Sequence, residues 1–168
     1  MVMFLQEIAS RFLRRIIMDR HGKSKYLSRY YLVKKPKMPD DSYPFDINGT
    51  PREGIMWVPG YGMFLHHFHR DDEARELHSH PWKWSVSLIL SGGYREERLE
   101  RGWPSVRERV FRPGNINVLT NDVFHRVELL DVFGGCWTLF VHGPKNKNWG
   151  FLDRDTREFT DWRAFFQK

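Results

Sequence analysis

The hydrophobic pattern at the start of the chain changes from helical to alternating. Apolar residues recur every three to four positions from Phe4 to Ile17, with glutamine, glutamate and arginine on the other side. This period predicts an amphipathic helix that ends near Gly22. The alternation from Tyr26 to Val33 then predicts a strand that stops before a proline.

From residue 63 onwards, short runs with a β-type composition follow one another. Turns rich in glycine and proline separate these runs, which cover residues 63–69, 77–90, 94–100, 106–111, 116–119, 124–130 and 136–142. Several short strands at this spacing indicate a β-sandwich or a small barrel.

The same pattern divides the chain into four parts. We expect a helix-and-strand arm at 1–35, an irregular proline-rich loop at 36–62, a barrel at 63–143 and a C-terminal tail at 144–168. The aromatic residues of the tail are expected to pack back on the barrel.

Composition and charge limit the classes of protein to which this chain can belong. With 168 residues, of which 40% are hydrophobic, the chain has the size and core of one globular domain. A single cysteine excludes an internal disulfide and fits a reducing compartment, so we expect a cytoplasmic protein. No apolar run approaches the roughly 20 residues that span a bilayer, so no membrane association is expected.

The net charge of +6 is unevenly distributed. Residues 1–37 contain ten lysines and arginines against Glu7 and Asp19, a balance of +8, so the remainder of the chain sums to −2. The basic character therefore belongs to the arm, and nucleic-acid binding is not the expected role of the barrel.

Histidines are the most informative residues of this chain. Five of the eight lie between residues 66 and 80. His78 and His80 are two positions apart, so on a strand both imidazoles project to one side and could bind one metal ion. The same alternation places His67 and His69 on one face and His66 on the other, so only one of these sets can reach a pocket.

At this point the sequence resembles the cupin family. The first cupin motif has the form G-x5-H-x-H-x(3 or 4)-E-x6-G, and here His78 and His80 are followed at the same spacing by Ser85 and Gly92. The second motif, G-x5-P-x-G-x2-H-x3-N, matches in spacing from Gly114 to His125. The resemblance implies an all-β, cupin-type jelly-roll barrel (a double-stranded β-helix), with the N-terminal amphipathic helix packed outside.

Departures from the two motifs affect the expected ligands. Ser85 stands where the family has a metal-binding glutamate, and Asp72, Thr120, Asp122 and Leu129 replace other motif residues. Carried over residue by residue, the resemblance therefore implies a metal site of His78, His80 and His125 without a carboxylate. Such a site is similar to that of three-histidine dioxygenases, which hold iron(II). Zinc, nickel or manganese remain possible, because ligand count alone does not select a metal.

The implied function is a metal-dependent dioxygenase. Three neutral ligands leave the full charge on a divalent ion, so a small anionic or chelating molecule is the expected substrate. Residues expected near that substrate are Ser85, Trp82, Tyr94 and His66; no catalytic residue is assigned.

Two alternatives from other classes remain open. A sugar-type isomerase or epimerase would use a base such as Tyr94, and a non-catalytic binding module would hold a ligand without turnover. The face of the strand at 84–90 that carries Val86 and Leu88 needs cover from the N-terminal elements or a second copy. A homodimer is therefore a possible assembly.

Overall fold

The computed structural model describes residues 1–12, 14–18, 23–33, 60–72, 74–131 and 133–166. Two helices are present, α1 (Val2–Ser10) and α2 (Trp162–Phe166). The strands are β1 (Arg14–Met18), β2 (Lys25–Tyr31), β3 (Gly62–Phe68), β4 (Leu77–His78), β5 (Trp84–Ser91), β6 (Tyr94–Glu100), β7 (Arg107–Phe111), β8 (Ile116–Thr120), β9 (Val123–Leu129), β10 (Cys136–His142), β11 (Gly150–Leu152) and β12 (Phe159–Asp161).

The strands form two antiparallel sheets of six strands each. Sheet A has the order β1-β2-β3-β10-β5-β8, and sheet B has the order β12-β11-β4-β9-β6-β7. From β3 onwards the chain passes back and forth between the sheets in the manner of a jelly roll, apart from the hairpins β6–β7 and β11–β12 within sheet B. The predicted all-β class and jelly-roll architecture are confirmed, and every β-type run from residue 63 to 142 contains a strand.

Alternation along each strand separates an inner from an outer face. On β10, Cys136 packs in the core with residues of sheet B, whereas its neighbour Trp137 packs against α1 on the outside. On β5, Ser85 and Ile89 are buried, as the alternation predicts.

Helix α1 covers the outer face of sheet A. Ala9 is fully buried against Leu65 and Trp137, and Leu5 and Leu90 pack around this contact. The sheet face therefore receives part of its cover from the same chain. Among the described residues, no helix is long and apolar enough to cross a membrane.

The prediction of one helix from Phe4 to Ile17 is wrong in its second half. The helix ends at Ser10, where Arg11 and Phe12 donate to carbonyls three residues back. Arg14–Met18 forms β1 instead, paired with β2. The β-branched Ile16 and Ile17 fit a strand as well as a helix, and pairing at the sheet edge decides the outcome.

The C-terminal tail joins sheet B, because its β11 pairs with β4. Within the tail, Phe151 and Phe165 stack with ring centroids 3.8 Å apart, and Trp149 stacks on Trp162. The tail also supplies β11 and β12, which the sequence pattern did not predict. Most of the predicted loop at 36–62 lies outside the described residues.

Candidate metal centre

The two sheets bring His78, His80 and His125 together. His78 on β4 lies between β11 and β9 and pairs directly with His125 on β9. His80 follows one residue after the fully buried Ser79, whose amide donates to the carbonyl of Gly150. This bond continues the extended chain beyond β4, so the two imidazoles of the His-x-His pair project to the same side.

The three side chains are close enough to share one metal ion if His80 and His125 move apart by a few tenths of an ångström. One ring nitrogen from each lies within 4.8 Å of the others, and the Nε2 atoms of His80 and His125 are 2.8 Å apart. Two nitrogens about 2.1 Å from one ion, at angles of about 90 to 110°, would be about 3.0 to 3.4 Å apart. A hydrogen bond between the two rings also accounts for the spacing without an ion.

Burial keeps the imidazoles of His78 and His80 neutral. Burial lowers the pKa of His78 to about 4; the carboxylate of Asp72 opposes the shift and His125 adds to it. Burial, together with His125 and His78, lowers the pKa of His80 well below its usual value. Neutral imidazole is the form that binds a metal, so no proton has to be displaced from these rings near neutral pH.

Glu96 orients the ring of His125. Its Oε1 lies 2.8 Å from Nδ1 of His125, and it also accepts a hydrogen bond from Asn117 Nδ2 at 2.8 Å. An ionised carboxylate accepts, so the proton of His125 is on Nδ1 and the lone pair of Nε2 points toward His80. This is the tautomer that a metal at Nε2 requires.

Burial alone would raise the pKa of Glu96, but its neighbours outweigh that effect. Hydrogen bonds from His125 and Asn117 and the charge of Arg98 lower the pKa of this carboxyl. Arg98 lies 3.5 Å from Glu96 Oε2 and also donates to Glu100 at 2.7 Å. Glu96 is therefore an anion behind His125, with two donors on Oε1 and the Arg98 cation near Oε2, which accepts no hydrogen bond among the described residues.

Asp72 has a comparable position behind His78. Its Oδ2 is 3.6 Å from His78 Nδ1 and accepts from the amide of Val127 at 2.7 Å, and its Oδ1 accepts from the hydroxyl of Tyr26. The first motif has a glycine at this position, so the motif does not predict these contacts. The carboxylate of Asp72 places a second negative charge near the histidine cluster.

Ser85, the residue at the expected glutamate position, is buried on β5 opposite His142. Its hydroxyl has no hydrogen-bond partner among the described residues. The candidate ligand cluster consists of the three histidines, and no carboxylate joins it within the part of the chain that the structure describes. The all-imidazole ligand set implied by the sequence is thus the set that the structure brings together.

Trp82 and His66 belong to an aromatic cluster beside these histidines. Trp82 stacks on His80 with ring centroids 5.3 Å apart, and on His142 at 4.3 Å. His66 is buried on the inner face of β3 and stacks on Phe140 at 4.9 Å, whose ring is 6.5 Å from that of His80. His67 lies on the outer face against Trp137, as the alternation predicts.

Tyr94 lies behind Glu96. It packs in the core with Phe111 and Leu129, and its hydroxyl accepts a hydrogen bond from Asn117 Nδ2 at 3.0 Å. Burial raises the pKa of Tyr94, which opposes a role as the base of an isomerase.

Sequence reasoning missed three inward polar residues: Arg29, Arg98 and Asn117. Strand alternation could have identified Arg98, because Tyr94, Glu96 and Arg98 alternate on one face of β6 and all three are buried. The roles of Arg29 and Asn117 depend on contacts with residues of other strands, which a single sequence does not specify.

Comparison with protein-family models gives no match, and no curated protein matches the chain. Several solved structures match. Iron(II) HppE matches over 77% of this chain and 56% of its own, with 14% identity and a TM-score of 0.50. KdgF from Halomonas sp. matches over 71% and 82%, at 13% identity and a TM-score of 0.42. A recombinant oxalate oxidase in complex with glycolate matches over 71% and 61%, at 15% identity and a TM-score of 0.46.

HppE has the cupin fold, and this chain has it too. It is a cupin-fold protein with three buried or half-buried histidines placed to hold one metal ion. At this identity the likeness shows the fold and leaves the reaction open. The chain spans just over half the length of the HppE chains that it matches.

Proposed function

We propose that this protein is a metal-dependent dioxygenase that acts on a small anionic or chelating molecule. The proposal is carried by the cluster of His78, His80 and His125, an all-imidazole set with a carboxylate behind two of its rings. Iron(II) is the favoured metal, with zinc, nickel and manganese as alternatives. One of the matching structures is HppE with iron(II), which is consistent with this choice.

The residues of the chain have distinct parts in this proposal. The three imidazoles would bind the metal, and Glu96 holds His125 in the tautomer that presents Nε2. An iron(II) ion at this site would supply the redox chemistry that activates O2. The small side chain of Ser85 leaves space where a fourth protein ligand would otherwise stand.

Charge favours an anionic substrate at this site. Imidazole ligands are neutral, so they would not offset the charge of a divalent ion; Glu96 is engaged by Arg98 and Asn117, and Asp72 by Tyr26 and the amide of Val127. An anionic group that binds the ion therefore gains more than a neutral one. Trp82 and Phe140 supply an apolar wall that would restrict water around the bound molecule.

Metal content of the purified protein tests the site. Protein made without metal supplements is expected to carry close to one metal per chain by elemental analysis, and His78→Ala or His125→Ala should abolish it. His67→Ala, on the outer face against Trp137, is the matched control and should keep the metal. Stoichiometric metal that remains in both site variants would refute the assignment.

Oxygen uptake tests the reaction. The iron-loaded protein is expected to consume O2 with at least one member of a panel of small carboxylic acids, and His125→Ala should not. Turnover of a sugar acid without oxygen consumption would instead support an isomerase.

A further inference from the structure

Arg29 is a half-buried cation that has no carboxylate partner among the described residues. It lies on β2, donates from Nε to Nε2 of His66 at 2.9 Å, and its guanidinium carbon is 4.8 Å from the centre of the Phe64 ring. Burial lowers the pKa of Arg29 and a hydrogen bond with the side chain of Tyr31 opposes the shift, but none of the main electrostatic contributions comes from a carboxylate. An arginine remains charged in such surroundings.

Other interior charges are compensated. Arg98 is 3.5 Å from Glu96 and 2.7 Å from Glu100, and Asp72 faces His78 and accepts two hydrogen bonds. Leaving a buried charge without an opposite partner is costly. The position of Arg29 is therefore one where a bound anion would be stabilised.

His66 holds this cation through one ring nitrogen and has a donor on the opposite edge of its ring. The guanidinium can only donate, so Nε2 of His66 must accept, and in the neutral ring the proton is then on Nδ1. Burial and the charge of Arg29 lower the pKa of His66, which keeps the ring neutral. Nδ1 is buried and has no partner among the described residues, so it is a donor that lacks an acceptor.

The same interior contains the histidine cluster. His66 stacks on Phe140, whose ring lies 6.5 Å from that of His80, and both Arg29 and His66 contribute to lowering the pKa of His80. Thr138, which pairs with His66 across β3 and β10, carries a buried hydroxyl that also has no partner within the described part of the chain. The interior near the histidine cluster and Arg29 thus contains two polar groups, His66 Nδ1 and the Thr138 hydroxyl, that have no hydrogen-bond partner among the described residues.

We infer that Arg29, held by its bond to His66, binds a carboxylate group of the substrate, while a second donor group of the same molecule reaches the site formed by His78, His80 and His125. The substrate class is then a small carboxylate with a second metal-binding group. The planar fork of the guanidinium matches the two oxygens of a carboxylate. The second half of the inference rests on the proposed function; the carboxylate anchor is testable without it.

Calorimetric titration of zinc-loaded and metal-free protein tests the anchor. The probes are malonate, with two carboxylates, acetate, with one, and inorganic phosphate. We expect malonate to bind the zinc-loaded protein more tightly than acetate does. Arg29→Gln should weaken malonate binding by about tenfold or more while the zinc content stays at the wild-type level. Arg95→Gln, an exposed arginine on the outer face of β6, is the control and should leave binding unchanged.

Variants of His66 give a second readout that leaves Arg29 in place. His66→Phe removes the acceptor that holds the guanidinium and should weaken malonate binding, whereas His66→Asn keeps an acceptor and should restore part of it. If Arg29→Gln fails to fold, Arg29→Lys replaces it; Lys keeps the charge without the planar donor pair and should show an intermediate loss.

The outcomes separate the two proposals. Zinc binding with malonate affinity unchanged in Arg29→Gln and His66→Phe would overturn the anchor and leave the metal site standing. If the wild type held no metal, the proposed function would fail. Acetate binding to metal-free protein that depends on Arg29 would still support the anchor, and binding independent of Arg29 would overturn it. Tighter binding of phosphate than of malonate would contradict the carboxylate assignment.

Discussion

Single residues that contact the three histidines determine the tautomer and the basicity of their imidazoles. Glu96 is fully buried, accepts from His125 and Asn117 on one oxygen, and has its other oxygen 3.5 Å from Arg98. Such partners of a ligating histidine fix its tautomer and increase its basicity. The affinity of these histidines for a metal ion should therefore depend on Glu96, which lies outside the ligand set.

Glu96→Gln is expected to weaken zinc affinity by about 10- to 100-fold. A glutamine oxygen can still accept from His125, but its amide group then faces the guanidinium of Arg98, so two donors oppose each other. Competition with a chromophoric chelator measures the affinity. Glu108→Gln, at an exposed glutamate on β7, should retain wild-type affinity. Equal affinity in both variants would show that Glu96 does not support the site.

The buried thiol of Cys136 is expected to make the folded protein less stable in mild alkali. Burial raises the pKa of its thiol to about 12, whereas an unfolded thiol titrates near about 8.5. Between these values the unfolded state releases its proton first, so the free energy of unfolding falls as pH rises. We expect a loss of about 1 kcal/mol between pH 8 and 9.5, measured by urea unfolding.

Cys136→Ala is the control for that slope. The variant lacks the thiol, so its free energy of unfolding should fall by about 1 kcal/mol less than that of the wild type over the same range. Parallel curves for the two proteins would mean that the thiol titrates normally in the folded state.

How far the sequence predicts the site depends on the kind of contact. The three histidines were predictable because their spacing matches two motifs and because strand alternation places His78 and His80 on one side. Arg29 was not, since its contact with His66 requires knowing that β2 pairs with β3 in one particular register. Residue spacing predicts which side chains share one face of a strand. It does not predict which residues of two strands are paired.

Among the elements, the turn between β5 and β6 depends closely on its glycines. Gly92 has φ +75°, and a Cβ there would lie 2.1 Å from the carbonyl oxygen of Gly135. Gly102, in the turn between β6 and β7, has φ +84°, but a Cβ there would meet nothing within 4 Å. A comparison of alanine substitutions at these two glycines therefore separates the cost of backbone strain from the cost of a steric clash.

Gly92→Ala is expected to destabilise the protein by about 3 kcal/mol or more, and Gly102→Ala by about 1 to 2 kcal/mol. Both variants carry the strain of a left-handed residue, but only the first also displaces a backbone oxygen. Free energies of unfolding in urea measure the difference, with the soluble fraction on expression as the readout if Gly92→Ala does not fold. Equal losses would mean that the turn shifts to relieve the clash.

Elements were predictable where the hydrophobic period was unambiguous. The strands from β3 to β10 follow an alternating pattern with clear turn residues, and β6 has the predicted bounds of 94–100. The pattern of β1 also fits a helix, because apolar pairs such as Ile16–Ile17 suit both periods, and β11 is only three residues long. Short edge strands are defined by the neighbour with which they pair, so local propensity does not reveal them.

At the scale of the whole molecule, the histidines join segments that are distant in the chain. His78 and His80 come from β4 and the residues after it, and His125 comes from β9, so an ion bound by all three would cross-link them within sheet B. The strands in between cross to sheet A and return, which makes the geometry of the cluster a property of the completed jelly roll. A metal should therefore bind the folded state far more tightly than the unfolded chain.

Zinc is accordingly expected to stabilise the whole fold. At a free concentration about 100 times the dissociation constant, binding adds about 2.7 kcal/mol, which corresponds to a rise in Tm of about 5 to 10 °C for a chain of this size. Calorimetric scans with and without zinc measure the shift. Magnesium, which prefers oxygen ligands, should give none, and neither should zinc with His78→Ala. A zinc-dependent rise of the same size in His78→Ala would place the stabilising ion elsewhere on the protein.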